Sequence, residues 1–367
     1  MKADVPRGLN VVFRKSQELS AEGRNACKSS LSMAADRKPA AFCGGFRRTS
    51  GPAPLVMLSA MRILVTGVSG FVGARLVPRL AREGHELRGF TRDPGRVAVD
   101  VPLAVGDAVS GAGLERALEG IDVAYYLIHS MEPASDADFG ARERAAAERF
   151  AAAAQRAGIQ RVVYLGGLVP RVAPASPHLA SRLAVERILL DALPDSTALR
   201  ASIVIGAGSR SFRFLVRLIE RLPLVALPAW RVNRTQPVDE RDVVEALARA
   251  ATVSAAAGRS LDVAGPDVVS YGELIERIRD ALVVGRPLVP LGRATALSPA
   301  RVTSAVVAAI AGERPELVGP LMAGLSGDLL PRDDAGAELL GVRLHRLDAA
   351  IEHALREWER SEPLAAR

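Results

Sequence analysis

From Met61 to its last residue the chain contains no lysine and no cysteine. Both cysteines, Cys27 and Cys43, and all four lysines, Lys2, Lys15, Lys28 and Lys38, lie in the first 60 residues. Two cysteines in a segment with no sustained period of 2 or 3.6 build neither a disulfide framework nor a metal site. Five scattered histidines without cysteine form no ligand cluster either, so no metal is expected. No apolar run approaches the roughly 20 residues that cross a bilayer. The nearest, Val302 to Ala311, stops after ten residues at Gly312. No Gly-x-Ser-x-Gly elbow is present, which removes that route to hydrolase chemistry. No internal repeat is found.

Charge is unevenly placed. Residues 1–60 hold six Arg and four Lys against two Asp and two Glu, which accounts for six of the chain's net +7. A nucleic-acid protein is expected to carry its basic excess on the folded part, so nucleic acid is not an expected partner. Residues 1–60 read as upstream of a true start at Met57 or Met61, with a disordered natural extension or a targeting peptide as the alternatives. What remains, 49% hydrophobic over the whole chain, is ample for a large core. It reads as a cytoplasmic protein without a transmembrane segment.

Beyond Met61, short apolar strands alternate with helical patterns. The strands are read at 62–66, 86–91, 102–107, 123–128, 161–167, 197–202 and 260–265. Helices are read from the glycine turn to Gly84, and at 139–157, 181–193, 239–251, 271–282 and 348–360. Gly158 stops the second of these. Pro78 lies inside the first and predicts a distortion there. Strands apolar on both faces and separated by helices predict a doubly wound parallel α/β sheet of Rossmann type.

The stretch VTGVSGFVGARL, Val65 to Leu76, sits between the first strand and the first helix. Gly67 permits a tight turn, Gly70 lets backbone amides approach a pyrophosphate, and Gly73 lets helix and strand touch. The helix N-terminus adds the positive end of its dipole. The cofactor-binding set in this turn is Thr66, Gly67, Ser69, Gly70, Phe71, Val72 and Gly73.

Thr66 to Gly73, with Gly106-Asp107 after the third strand, resembles the atypical and extended branches of the short-chain dehydrogenase/reductase superfamily. The likeness is to NmrA-like and NAD-dependent epimerase/dehydratase-type proteins. YLIHSM (126–131), RTQPVDERDVVEAL (234–247) and LDVAGPDVVSYGEL (261–274) extend it over 61–367. It implies a nucleotide-binding domain over 61–268, with 206–235 contributing to a substrate lobe, and a helical C-terminal lobe over 269–367. It places Asp107 against an adenine, where the residue type alone also suits a turn cap. Gly206, Gly208 and Ser209 resemble the loop that closes over the nicotinamide. The second strand ends in Thr91-Arg92-Asp93. Arg92 is placed for a ribose 2′-phosphate, which favours NADP(H) with NAD(H) as the other option; a surface Arg paired with Asp93 is the plainer reading.

The superfamily's Tyr-x-x-x-Lys pair and its serine are missing. His178 stands at the Tyr position, Arg182 at the Lys position, and Gly166-Gly167 where the Ser falls. Arg182 is expected on ribose hydroxyls. His178 and His129, with Ser130 beside the latter, are the candidate acid/base residues, since imidazole titrates near neutrality; a helix-entry His and a satisfied strand-end His are the alternatives. Tyr126 and Tyr164 read as core, and His85, His345 and His353 as surface. The apolar residues from Phe212 to Leu222, beside Arg210, Arg213, Arg217 and Arg221, read as a helix packing onto the C-terminal lobe. The alternative is a greasy pocket with a basic rim, for a hydrophobic substrate or a peripheral membrane contact. Two functions follow: an oxidoreductase or epimerase-like enzyme on an unidentified small molecule, or a non-catalytic NADP(H)-binding redox sensor or regulatory protein. The oligomeric state is not legible.

Overall fold

A computed structural model of the chain describes residues 60–129, 136–170, 177–227, 229–290, 325 and 327–364. The first 59 residues, Ser130, Met131 and the apolar run at 302–311 lie outside the described residues.

Thirteen strands are named in chain order. They are β1 (Arg62–Thr66), β2 (Glu86–Thr91), β3 (Leu103–Val105), β4 (Val123–Tyr126), β5 (Arg161–Gly167), β6 (Thr197–Ala201), β7 (Val204–Ile205), β8 (Val225–Leu227), β9 (Arg234–Thr235), β10 (Val238–Asp239), β11 (Ser260–Val263), β12 (Val269–Ser270) and β13 (Leu288–Pro290). Seven of them form one parallel sheet in the order β11-β6-β5-β4-β1-β2-β3. These are the seven strands read from the sequence. The third is shorter than expected, ending at Val105; the Gly106 amide still donates to the Thr91 carbonyl at 3.0 Å, and Asp107 pairs across the turn with Ala112.

The helices are α1 (Phe71–Ala81), α2 (Leu114–Leu118), α3 (Asp136–Arg156), α4 (Pro177–Ala192), α5 (Arg210–Arg221), α6 (Glu240–Thr252), α7 (Tyr271–Ala281), α8 (Ala335–Leu339) and α9 (Leu347–Glu359). Helix α1 continues three residues past Pro78. Gly158, at φ +69°, follows the end of α3 as expected of a left-handed stop. Ser270 caps α7 by accepting from the Glu273 amide at 3.1 Å.

Alternation along the strands fills both faces of the sheet. Ile63, Val65, Val123, Tyr125 and Val163 pack with α1 and α6 on one side. Leu64, Ala124, Tyr126, Val162 and Tyr164 pack with α2, α3 and α4 on the other. This is the two-sided burial that a parallel sheet requires. Tyr126 and Tyr164 are core, as read. A third core joins Phe212, Val216 and Ile219 of α5 to Leu274 and Ile278 of α7 and to Leu355 and Trp358 of α9. The apolar stripe of α5 is therefore consumed by lobe packing. Two of the four arginines beside it, Arg213 and Arg217, stack on the Trp358 ring at 4.2 and 4.9 Å and both bind Glu362. This favours the plain reading of 212–222 over a greasy pocket with a free basic rim.

The expectation that His85 is a surface residue fails. Its side chain is buried between the starts of β1 and β2, and Nδ1 accepts the Met61 amide at 3.3 Å. Its place beside Gly84 suggested a turn, but the pairing of Met61 with Glu86 draws the preceding ring inward.

Strand order reverses at β1, whose neighbours β2 and β4 are reached by crossovers running in opposite directions along the sheet. The crevice at the carboxyl ends of β1 and β4 is the switch point where doubly wound sheets bind ligands. Thr66 fastens that edge. Its hydroxyl donates to the Tyr125 carbonyl at 2.8 Å and accepts the Leu127 amide at 3.1 Å. Thr66→Val keeps the shape and strands two buried backbone groups, so a loss of about 1–3 kcal/mol is expected. Urea denaturation followed by far-ultraviolet dichroism checks it.

Candidate functional site

The first part of the site is the β1–α1 turn. Gly67 has φ +67°, and a Cβ there would lie 2.6 Å from the Leu127 carbonyl oxygen. Gly73 is buried with its α-carbon against the Gly67 carbonyl and the Val68 backbone, so a side chain has nowhere to go. The Gly70 amide donates to the Gly67 carbonyl at 2.8 Å and closes the turn. No side chain caps α1 and no acidic residue lies in its first turn. Ser69 and Gly70 are exposed at the lip, and Phe71 and Val72 are half-buried behind it. Backbone that can be approached closely, at an uncapped helix N-terminus on the sheet's switch point, fits a dinucleotide pyrophosphate. Thr66 differs from its neighbours, because its side chain is engaged with β4.

The Phe71 ring faces the loop after β7. A Cβ on Gly206 would sit 2.6 Å from its Cζ, and one on Gly208 would also strike the ring. Both glycines are thus needed where this loop crosses the start of α1.

Arg92 is exposed just beyond β2. Asp93 turns its carboxylate to the Gly95 amide at 3.0 Å and caps a short turn. Asp107 does likewise after β3. Its two carboxylate oxygens accept the Val109 and Ser110 amides at 3.1 and 3.3 Å. That geometry is the turn cap named as its plainer reading.

The second part lies between the ends of β4 and β5 and the first turn of α4. His178 and Arg182, four residues apart, share one helix face. The Arg182 guanidinium, directed at ribose by the family resemblance, is instead buried and donates from Nη2 to Glu143 Oε1 at 3.0 Å. Burial pulls its pKa down to about 9, so it stays charged at neutral pH. The other oxygen of Glu143 accepts the Ser181 hydroxyl at 2.8 Å. His129 Nδ1 stands 3.6 Å from Glu143 Oε1, and its ring centroid is 5.3 Å from that of His178. Both candidate histidines are therefore brought together, and His129 lies beside a buried carboxylate. Burial holds His178 below the usual imidazole range, so its ring is neutral at pH 7. Burial raises the Tyr126 and Tyr164 phenols far above neutrality, which keeps both as protonated core groups.

At Gly167, a Cβ would stand 3.3 Å from Leu179 Cδ2 of α4. Ser130 lies outside the described residues. Glu143 is the residue the sequence reading passed over. It sits in register with Ala146, Ala147 and Phe150 on the buried face of α3. A lone carboxylate on an apolar stripe was the available signal.

A separate cluster joins α1, α6 and α9. The Arg75 guanidinium bridges Glu240 and Glu357 at 2.9 and 2.5 Å, and His353 Nε2 lies 3.9 Å from Glu240. Glu240, His353 and Glu357 bring ligand-type atoms within 4.8 Å of one another, and the two carboxylates already share a guanidinium. Burial, with the Glu357 carboxylate beside it, pushes Glu240 up to about 7 against the pull of Arg75. A carboxyl whose pKa rises on folding favours the native state below its unfolded value, near 4.3. That contribution is lost as pH climbs from there through about 7. Melting temperature should therefore fall less between pH 5 and 8 in Glu240→Gln than in the parent chain. Calorimetric scans at both pH values check it.

Residues 63–264 match the NAD dependent epimerase/dehydratase family. A mitochondrial protein of Arabidopsis thaliana, NADH dehydrogenase [ubiquinone] 1 alpha subcomplex subunit 9, is 26% identical over 237 residues, 61% of this chain and 59% of its own. The chain thus spans less than two thirds of that relative's length. The (4-alkanoyl-5-oxo-2,5-dihydrofuran-3-yl)methyl phosphate reductase of Streptomyces griseus is 28% identical over 62% of this chain and 75% of its own. A UDP-glucose 4-epimerase from Thermotoga maritima superposes with a TM-score of 0.64 at 15% identity, over 82% of this chain and 99% of its own, a likeness of fold.

Proposed function

The chain belongs to the NAD dependent epimerase/dehydratase family, and from that premise we propose that it is an oxidoreductase on a small hydroxyl or carbonyl compound, using NADP(H). The observation that carries the proposal is one juxtaposition. The carbonyl that abuts Gly67 belongs to Leu127, two residues before His129. A dinucleotide held on the turn would share the sheet's carboxyl edge with the segment that carries His129.

A nicotinamide ring bound there supplies or accepts the hydride. The chain's own part is to hold the pyrophosphate on the α1 amides and to move the proton. In the oxidising direction an imidazole nitrogen of His129 or His178 takes the substrate hydroxyl proton. In the reducing direction the imidazolium returns it to the carbonyl oxygen. Arg92 supports the choice of NADP(H), because a guanidinium at the end of β2 suits a 2′-phosphate better than a 2′-hydroxyl. The Streptomyces relative is named a reductase, which agrees with a hydride-transfer reading.

The alternative is a cofactor-bound sensor without turnover. It is favoured by the absence of lysine after residue 38 and by the engagement of Arg182 with Glu143. Titration with NADPH, followed by the cofactor's fluorescence, should show binding. Arg92→Ala should weaken it about tenfold, or about 1.4 kcal/mol, and leave NADH unaffected. Turnover on a panel of aldehydes, ketones and quinones should fall at least tenfold in His129→Asn or His178→Asn with NADPH affinity retained. Binding with no turnover on any member would support the sensor.

A further inference from the structure

The carboxylate of Glu143 is buried, yet it is surrounded by more partners than one ion pair requires. Arg182 and Ser181 approach from α4, and His129 approaches from the loop after β4. A charge taken out of water needs its oxygens occupied. Arg182 and Ser181 supply one donor to each oxygen, and the Oε1 shared with Arg182 is the one nearest His129 Nδ1. The His129 side chain is one-third exposed, whereas that of Glu143 is 5% exposed. The imidazole thus lies between a hidden carboxylate and the open side of the crevice.

We propose that Glu143 is the positioning residue of the proton-transfer site, holding His129 with Nδ1–H toward the carboxylate so that Nε2 is the nitrogen that meets substrate. The proposal rests on the oxidoreductase reading above and adds a tautomer and a direction to it. At 3.6 Å the contact is electrostatic, and such contacts often tighten only when ligand is bound. A carboxylate on one ring nitrogen decides which nitrogen carries the proton in the neutral ring. It also stabilises the imidazolium formed when Nε2 takes the hydroxyl proton, as the substrate O–H bond breaks and the N–H bond forms. His178, neutral and 5.3 Å away between ring centroids, adds no competing positive charge. Arg182 sets a cation beside the carboxylate, on the same Oε1 that faces His129. In place of a phenol lowered by an ammonium, this branch has an imidazole oriented by a carboxylate.

The test is a tautomer measurement on the full chain labelled with 15N-histidine, at pH 8. Long-range proton–nitrogen spectra separate five histidines, and His129→Asn identifies its signal. In the parent chain His129 should carry its proton on Nδ1. In a folded Glu143→Gln it should shift toward the Nε2–H form. A parent chain with His129 in the Nε2–H form overturns the proposal, whether or not the variant folds. An unchanged tautomer in a folded Glu143→Gln overturns it too, and leaves Glu143 as a tie between α3 and α4. NADPH titration of the same sample keeps the two readings apart. A pinned Nδ1–H with no NADPH binding removes the cofactor reading alone, and NADPH binding with an unpinned His129 removes only this proposal.

Discussion

Backbone has to touch backbone where β1 passes into α1. The Gly67 carbonyl lies against Gly73, and the Gly67 α-carbon lies against the Leu127 carbonyl, with no volume for a side chain at either place. That double contact brings three elements, β1, β4 and α1, to one point. It leaves the first amides of α1 without an internal partner or a side-chain cap, as an anion site needs. It also sets where the loop after β4 begins, and so where His129 stands. The Thr66 hydroxyl bonds lock the same junction from the strand side.

The corner proposed to handle the proton is held by residues that pair with one another. Arginine at position 182 is longer than the lysine the family resemblance implies, and it is turned inward, where it needs a counter-ion. Glu143 provides one from α3. Leu179, one turn before Arg182 on α4, packs against Gly167 at the end of β5. His178 keeps the place of the expected tyrosine with a smaller ring, and His129 meets it from the neighbouring strand end. Tyr126 and Tyr164, the phenols closest to this corner in sequence, are held as core groups instead.

Most of the architecture was legible because the signals are local. Seven apolar strands, a glycine turn and Gly158 each declare themselves within a few residues. The small strand pairs β7 with β10 and β9 with β12 were not, since two-residue ladders carry no periodicity. His85 was misjudged because its burial depends on the pairing of Met61 with Glu86, which nothing near residue 85 encodes. The two histidines were visible as candidates, but their meeting beside Arg182 and Glu143 was not. It requires β4, α3 and α4 to converge, a long-range fact that spacing alone does not contain. Asp107 was read with both roles open, and its carboxylate geometry is that of a cap.

The chain's two tryptophans, Trp230 and Trp358, both lie outside the seven-stranded sheet, whereas Tyr125, Tyr126 and Tyr164 lie within it. Trp358 is fully buried in the third core, with two guanidiniums against its ring. Indole emission is therefore a private signal of that small lobe. The nucleotide-binding layers answer only through tyrosine and the peptide bond, so the two halves of the molecule can be watched separately, in one cuvette and without a label.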